Sequence, residues 1–269
     1  MTTRTTQPVA LTIAGSDPSG GAGLQADLKT FHQHGVYGMS VVTLITVQNT
    51  QSVSRVDVLD PTLVLQQLDA VLSDLPPGAI KTGALGNAAV ISAVADGLAL
   101  SRVPLVVDPV MISKHGHALI SPDAVEVLIH RLLPLTTLLT PNTHEAGALL
   151  GRTIDTLEQA EAAGRELVRR GPRAVLVKGG HLSGAEATDV LVTREGAVLH
   201  VSSPRVESKH THGTGCTYAS AIAANLAKGQ SLEGSVRAAK EWLSRAIAQP
   251  PDVGHGIGPV NHLASLTRP

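Results

Sequence analysis

The sequence predicts an α/β protein: a mostly parallel central sheet flanked by helices. Three observations carry this expectation. Short β-branched runs alternate with helical patterns almost from end to end. Most of these runs are apolar throughout, as strands buried on both faces of a parallel sheet must be. Glycine and polar residues gather where the runs hand over to helices, and that is where open α/β sheets bind ligands.

In chain order, residues 1–8 (MTTRTTQP) read as a polar tail and residues 9–269 as a single domain, because no linker, repeat or low-complexity tract divides them. The strand candidates are VALTIAG (9–15), MSVVTLITVQ (39–48), AIKTG (79–83), PLVVDPV (104–110), TTLLTPN (136–142) and RAVLVKGG (173–180). Helix starts are legible at Asp60-Pro61 and Ser121-Pro122, where a capping side chain precedes a proline at the first helical position. The stretch ATDVLVTREGAVLHVSS (187–203) alternates on either side of Glu195-Gly196 and reads as a β-hairpin. Two helical segments follow, near 214–228 and 231–248.

Composition narrows the function. Of 269 residues, 43% are apolar and 16% charged, enough for a large aliphatic core and too few charges for a disordered chain. A net charge of -1 gives no electrostatic case for nucleic acid or an anionic membrane. Phe31, Tyr37, Tyr218 and Trp242 are the only aromatic residues of these types, too few for a base-stacking surface. One cysteine forms no internal disulfide, the first residues lack a secretory core, and no apolar run is long enough to span a bilayer. The expectation is a soluble, cytoplasmic protein.

Two glycine-rich junctions point to chemistry. Gly15 to Gly23 joins a strand to a helix, yet it lacks the Gly-Lys-Ser/Thr of a Walker loop and the third glycine of a dinucleotide fingerprint. It reads either as a tight turn with Ser19 or Gly20 near the helix cap, or as backbone that approaches a flat ligand with Asp27 one helical turn on. In THGTGCT (211–217), Gly213, Thr214 and Gly215 allow a nest of N–H groups at a helix start, where the helix dipole favours an anion such as a phosphoryl group. Helix N-termini also lower thiol pKa values, so Cys216 is expected to be partly thiolate there. The competing reading is a small buried residue that closes a helix turn.

Other candidates carry double readings. Asn142-Thr-His-Glu145 has the spacing of a capping box. Lys178 is either a charge leaving the sheet or a point charge for phosphate. Asp108 either binds a cation or bonds the following turn. Among 12 histidines only His115 and His117 are even loosely spaced as ligands, which argues against a structural zinc site.

Together these segments resemble the hydroxymethylpyrimidine/phosphomethylpyrimidine kinases of thiamine biosynthesis, within the ribokinase-like superfamily. The likeness runs from ALTIAGSDPSGGAGLQADLKTF through KTGALG, VVDPVM, LLTPNTHEA, VLVKGGH and THGTGCTYASAIA to GHGIGPVNH. It implies a ribokinase-like three-layer sandwich, a homodimer, ATP with Mg²⁺ as phosphoryl donor and room for a monovalent cation. It implies two successive phosphorylations of 4-amino-5-hydroxymethyl-2-methylpyrimidine. By the same resemblance Gly15, Asp27, Gln48 and Ala84 face the pyrimidine. Asp108, Asn142, Glu145 and Lys178 meet the nucleotide, with Asn142 and Glu145 near Mg²⁺, mostly through water or phosphate. Gly213, Thr214 and Gly215 form the anion hole, and Cys216 sits against the hydroxymethyl group.

Two departures stand out. Ala84 occupies a position where relatives usually carry Met, which implies a roomier pocket. KHGH (114–117), with His115 and His117, replaces a flap that often ends in aspartate. The rival readings are a pyridoxal or pyridoxine kinase on the same scaffold and a ligand-binding regulator without catalysis. Gln48 favours the pyrimidine, because an amide both donates and accepts against an aminopyrimidine edge.

Overall fold

In the computed structural model, which describes residues 7–111 and 120–267, nine strands form one sheet. They are β1 (Val9–Ser16), β2 (Tyr37–Gln48), β3 (Val53–Val58), β4 (Ala79–Thr82), β5 (Leu105–Val107), β6 (Leu138–Leu139), β7 (Ala174–Val177), β8 (Glu186–Thr193) and β9 (Val198–Pro204). Across the sheet the order is β3-β2-β1-β4-β5-β6-β7-β8-β9. β2, β1, β4, β5, β6 and β7 run parallel, while β3 pairs antiparallel with β2 at one edge and, at the other, β8 pairs antiparallel with β7 and β9 with β8. The expected α/β class with a mostly parallel sheet is what the chain adopts.

The apolar runs are explained by two cores, one on each face. Leu11, Ile13, Ile80, Leu105, Val107, Leu139, Val175 and Val177 face one core. Their neighbours Ala10, Ala79, Val106, Leu138, Ala174 and Leu176 face the other. The first core is closed by α2 (Pro61–Asp74), α3 (Ala88–Leu98), α4 (Pro122–Val127), α5 (Thr143–Leu150) and α6 (Leu157–Val168). The second is closed by α1 (Gly23–Gln33), α7 (Thr214–Ala227) and α8 (Leu232–Ala248). A period-two strand with a core on both sides has no polar position to spare.

All six strand candidates form strands. β5 and β6 are short because Asp108-Pro109 and Thr140-Pro141 follow them, and proline supplies no N–H to a ladder. The hairpin at Glu195-Gly196 is β8 paired with β9. Asp60 caps α2 by accepting from Thr62 and Leu63 N–H, as its spacing predicts. Ser121 departs from expectation: it precedes α4, but among the described residues its side chain makes no capping bond. His115 and His117 lie outside the described residues.

A cluster of polar side chains interrupts the second core. The Lys81 ammonium of β4 donates to both carboxylate oxygens of Asp27 on α1, at 2.9 and 2.8 Å. Thr12 of β1 and Ser220 of α7 donate to the same carboxylate, each at 2.6 Å. Both charged side chains are fully buried. Burial works against the Lys81 charge, but Asp27 overcomes it and raises the pKa. Asp27 therefore ties two strands and two helices together at the centre of the sheet.

Removing one partner of such a pair leaves a buried charge uncompensated. Lys81→Met should cost about 3–5 kcal/mol in urea denaturation. Adding Asp27→Asn to it should restore part of that loss, because the stranded carboxylate is then gone.

Candidate active site

The carboxyl ends of the parallel strands open on a cavity of about 690 Å³. Glycine and polar residues at the ends of the strand runs line it. At one end lie Gly15, Gln48 and Ala84; in the middle Gly213, Thr214, Gly215 and Cys216; beyond them Asp108, Asn142, Glu145 and Lys178. Asp27 is the exception. It lies beneath the cavity wall, with its carboxylate fully engaged by Lys81, Thr12 and Ser220. The expectation that Asp27 faces a ligand is corrected to a position one layer below it, where Lys81, not a ligand, meets its charge.

The loop after β1 is organised by a residue that spacing did not single out. The Asp17 carboxylate accepts from Ser19 N–H (2.9 Å) and Oγ–H (2.7 Å), and from Gly21 (3.2 Å) and Ala22 N–H (2.8 Å). It thereby caps α1, whose own N-cap Ala22 offers no side-chain acceptor. Neither Ser19 nor Gly20 performs that role. Burial pushes the Asp17 carboxyl up, but hydrogen bonds from His212 and Ser19 hold it below its usual range.

Two helix N-termini, those of α1 and α7, converge on Cys216. The thiol sits in the first turn of α7 and meets the N–H of Gly23, the first residue of α1. Among the described residues no acceptor engages the N–H groups of Gly215 and Cys216, whereas those of Thr214 and Thr217 bond Thr211 and Gly213 carbonyls. Gly213 N–H likewise meets no acceptor among the described residues, so of the expected nest only the Thr214 N–H is engaged, and Cys216 N–H joins the available donors. Gly213 is needed for another reason: it has φ +76, and a Cβ there would run into the Gly21 carbonyl. Its substitution would disturb the seam between the two loops, so the fold itself depends on it.

The expected thiolate is not what this environment favours. Part of Cys216 opens on the cavity, yet desolvation pushes the thiol up to about 11, with Asp27 and Asp108 adding to the shift and Lys81 opposing it. Burial and two nearby carboxylates outweigh the helix start and keep the thiol in its neutral form at pH 7.

At the far side, Lys178 bonds Asp108 Oδ1 at 2.8 Å and lies 4.0 Å from Glu145 Oε2. Asn142 and Glu145 form a reciprocal capping box on α5, with Glu145 N–H to Asn142 Oδ1 at 2.9 Å and Asn142 N–H to Glu145 Oε2 at 2.7 Å. The capping-box reading of that motif therefore holds, and Asn142 and Glu145 also line the cavity. Burial pushes its carboxyl up to about 7; Asp108 adds to this and Lys178 opposes it. Beyond Lys178, Asp189 accepts from Gly179 N–H (3.0 Å) and from the Lys240 ammonium (2.8 Å), which pins the loop that carries Lys178.

As for a divalent cation, no cluster of three or more His, Cys, Asp or Glu that could hold one occurs among the described residues. Asp108 and Glu145 do offer hard oxygen ligands beside the unengaged N–H groups at the start of α7. That donor set fits Mg²⁺ carried in on phosphates, with one or two carboxylates and water completing its shell.

Sequence spacing missed Asp17, His212, Lys81 and the Asp189–Lys240 pair. Asp17 had a signal, since an aspartate two residues before a serine in a glycine loop commonly accepts from the backbone there. Ala84 keeps its place on the cavity wall, its carbonyl accepting from Thr43 Oγ at 2.6 Å, and Leu44 of β2 packs against Gly15 and Gly86 beside it.

Residues 17–261 match the family model described as phosphomethylpyrimidine kinase. The chain is 49% identical over 258 residues to the hydroxymethylpyrimidine/phosphomethylpyrimidine kinase of Rhizobium meliloti, an alignment covering 94% of this chain and 96% of that one. Among solved structures, an ADP complex of Bacillus subtilis pyridoxal kinase superposes with a TM-score of 0.88 at 34% identity, covering 96% of this chain and 98% of that one. A phosphomethylpyrimidine kinase from Clostridium difficile gives a TM-score of 0.79 at 43% identity, covering 89% and 99%.

The Glu145 environment carries a pH signature. Its carboxyl ordinarily titrates at 4.5 and in the fold at about 7, so the native state holds the proton more tightly than the unfolded one. That contribution to stability is complete below pH 4.5 and is lost as pH rises through 7. Glu145→Gln keeps the capping acceptor and removes the titration. Urea denaturation at pH 5, 6, 7 and 8 should therefore show the variant gaining on the wild type as pH rises, with a plateau above about 7.

Proposed function

The chain belongs to the phosphomethylpyrimidine kinase family, and from that premise we propose how its residues divide the work. It is an ATP-dependent phosphotransferase that phosphorylates 4-amino-5-hydroxymethyl-2-methylpyrimidine to the monophosphate and then to the diphosphate. The observation that carries this reading is the alignment along one cavity of a pocket with Gln48, the Cys216 thiol at two helix starts, and Lys178. A ring, an acceptor oxygen and an anionic donor fit these stations in that order.

The pyrimidine occupies the Gly15, Gln48 and Ala84 end with its hydroxymethyl group toward Cys216. The donor phosphates run past Lys178 to the N–H groups of Gly215 and Cys216, which stabilise charge on the transferring group. The nucleotide base lies toward Lys240 and Leu243 of α8, on the opposite wall. Mg²⁺, when bound with the nucleotide, neutralises phosphate charge, and Asp108 and Glu145 are the residues that would hold it. Residues 9–269 act as one domain. The homodimer is supported by apolar side chains exposed on β2, Tyr37 (53%), Ile45 (49%) and Val47 (55%). A working free thiol suits the reducing cytoplasm, and no helix among the described residues is long and apolar enough to cross a membrane.

Pyridoxal is the second substrate to test, because pyridoxal kinases share the fold at a TM-score of 0.88. The higher identity to pyrimidine kinases puts the pyrimidine first. The regulator reading is set aside by the family and by the retention of Lys178 beside the free N–H pair.

The two phosphorylations make different demands on Cys216. An alcohol acceptor must lose its proton, and general-base help is worth about 10²–10⁴ in rate. A phosphate monoester acceptor, with a second pKa of about 6, is already ionised at neutral pH. Cys216→Ala should therefore slow the first transfer strongly and the second mildly, while Lys178→Ala should damage both. A thiol held near 11 makes the first transfer rise with pH across the neutral range in the wild type. Single-turnover kinetics with each acceptor supplied separately checks this. Equal losses in both steps for Cys216→Ala would reduce the thiol to a positioning role.

A further inference from the structure

At the acceptor end, three side chains form a cluster that the transfer chemistry does not use. Asp17 receives four hydrogen bonds from Ser19, Gly21 and Ala22, so its carboxylate is an acceptor on every side. His212 Nε2 lies 2.8 Å from Asp17 Oδ2. Two atoms that both offer only lone pairs do not approach so closely, so Nε2 carries a proton whether the ring is neutral or cationic. The Gln48 amide also abuts this nitrogen, 3.1 Å away through the atom placed as Nε2. A protonated His212 Nε2 has nothing to offer an amide N–H. The two ends of an amide have the same shape, and their partners decide which is which. The end that faces His212 is therefore the oxygen. The other end has no protein partner among the described residues, and Gln48 lines the cavity.

We propose that His212, held by Asp17, locks the Gln48 amide with its NH₂ group toward the acceptor pocket, so that the site selects a ring nitrogen with a free lone pair rather than the exocyclic amino group. His212 and Asp17 are positioning residues, and Gln48 is the reader. The inference rests on the pyrimidine reading of this end of the cavity. It also defines a ligand class: heteroaromatic rings with an unprotonated nitrogen at the contacted position are accepted, and rings with N–H or C–H there are refused.

A ligand–protein double cycle tests it by calorimetry. The ligands are the aminopyrimidine, its two analogues with one ring nitrogen replaced by C–H, and the analogue lacking the amino group. In the wild type, one C–H analogue should bind about tenfold or more weakly, because a buried N–H loses its partner. In Gln48→Met that particular penalty should vanish, while the penalty for deleting the amino group stays the same. If the amino-group penalty vanishes instead, the amide oxygen faces the ligand and the proposal is overturned. Failure of the aminopyrimidine to bind at all would count against the functional reading, and a second measurement then decides the orientation. In ¹⁵N-histidine-labelled protein, the ring perturbed by Gln48→Met should show a protonated Nε2; a bare Nε2 would overturn the proposal.

Discussion

The buried pair of Lys81 and Asp27 is the constraint on which the rest of the site depends. A carboxylate and an ammonium without water must be fully bonded, and here that requires β1, β4, α1 and α7 to hold their relative positions. Well-packed apolar residues of similar volume often serve stability as well or better. The pair instead supplies direction. It sits where the chain order reverses around β1 and β4, and it fixes the helix starts that face the cavity. Gly213 against Gly21, and Asp17 against His212, close the seam between those starts from above.

Charge is arranged in layers above this platform. Cys216 stands between the Lys81–Asp27 pair and the Asp108–Lys178 pair, and both carboxylates disfavour its ionisation. Lys178 is tied to Asp108 at 2.8 Å before any donor arrives, so the ammonium is already oriented and pays little to reorganise. Glu145 is the adjustable member. Burial and Asp108 push its carboxyl up while Lys178 opposes them, so its charge depends on both neighbours. In the proposed division of labour, the electrostatic work falls on Lys178 and the Gly215–Cys216 amides, and the thiol serves only the alcohol step.

Much of this was legible in the sequence because burial on both faces leaves an unmistakable apolar run. β1, β4, β5, β6 and β7 carry that mark, and β2, although Tyr37, Ile45 and Val47 are exposed, is apolar enough to read as a strand. β3 did not, because an edge strand with the pattern VSRVDV keeps Ser54, Arg55 and Asp57 exposed and looks like a loop. The glycine and polar clusters located the cavity, since strand ends converge in any parallel sheet. What they could not convey is depth. Asp27 and Gln48 both read as candidates for a ligand, yet only packing against Lys81 from a strand far along the chain puts Asp27 below the wall. The same blindness reversed the sign for Cys216: a helix start is local and visible, whereas desolvation and the charges of Asp27 and Asp108 come from distant segments. Asp17 and His212 are 195 residues apart, and no spacing rule joins them.

The central claim is that one cavity carries out two transfers in sequence, to an alcohol and then to the resulting phosphate. Phosphorus NMR of the purified chain with ATP, Mg²⁺ and 4-amino-5-hydroxymethyl-2-methylpyrimidine tests it in a single time course. The account predicts a monophosphate ester resonance that rises first and then gives way to the paired signals of a diphosphate as ADP accumulates. Accumulation of ADP with inorganic phosphate and no ester, or turnover with pyridoxal alone, would contradict it.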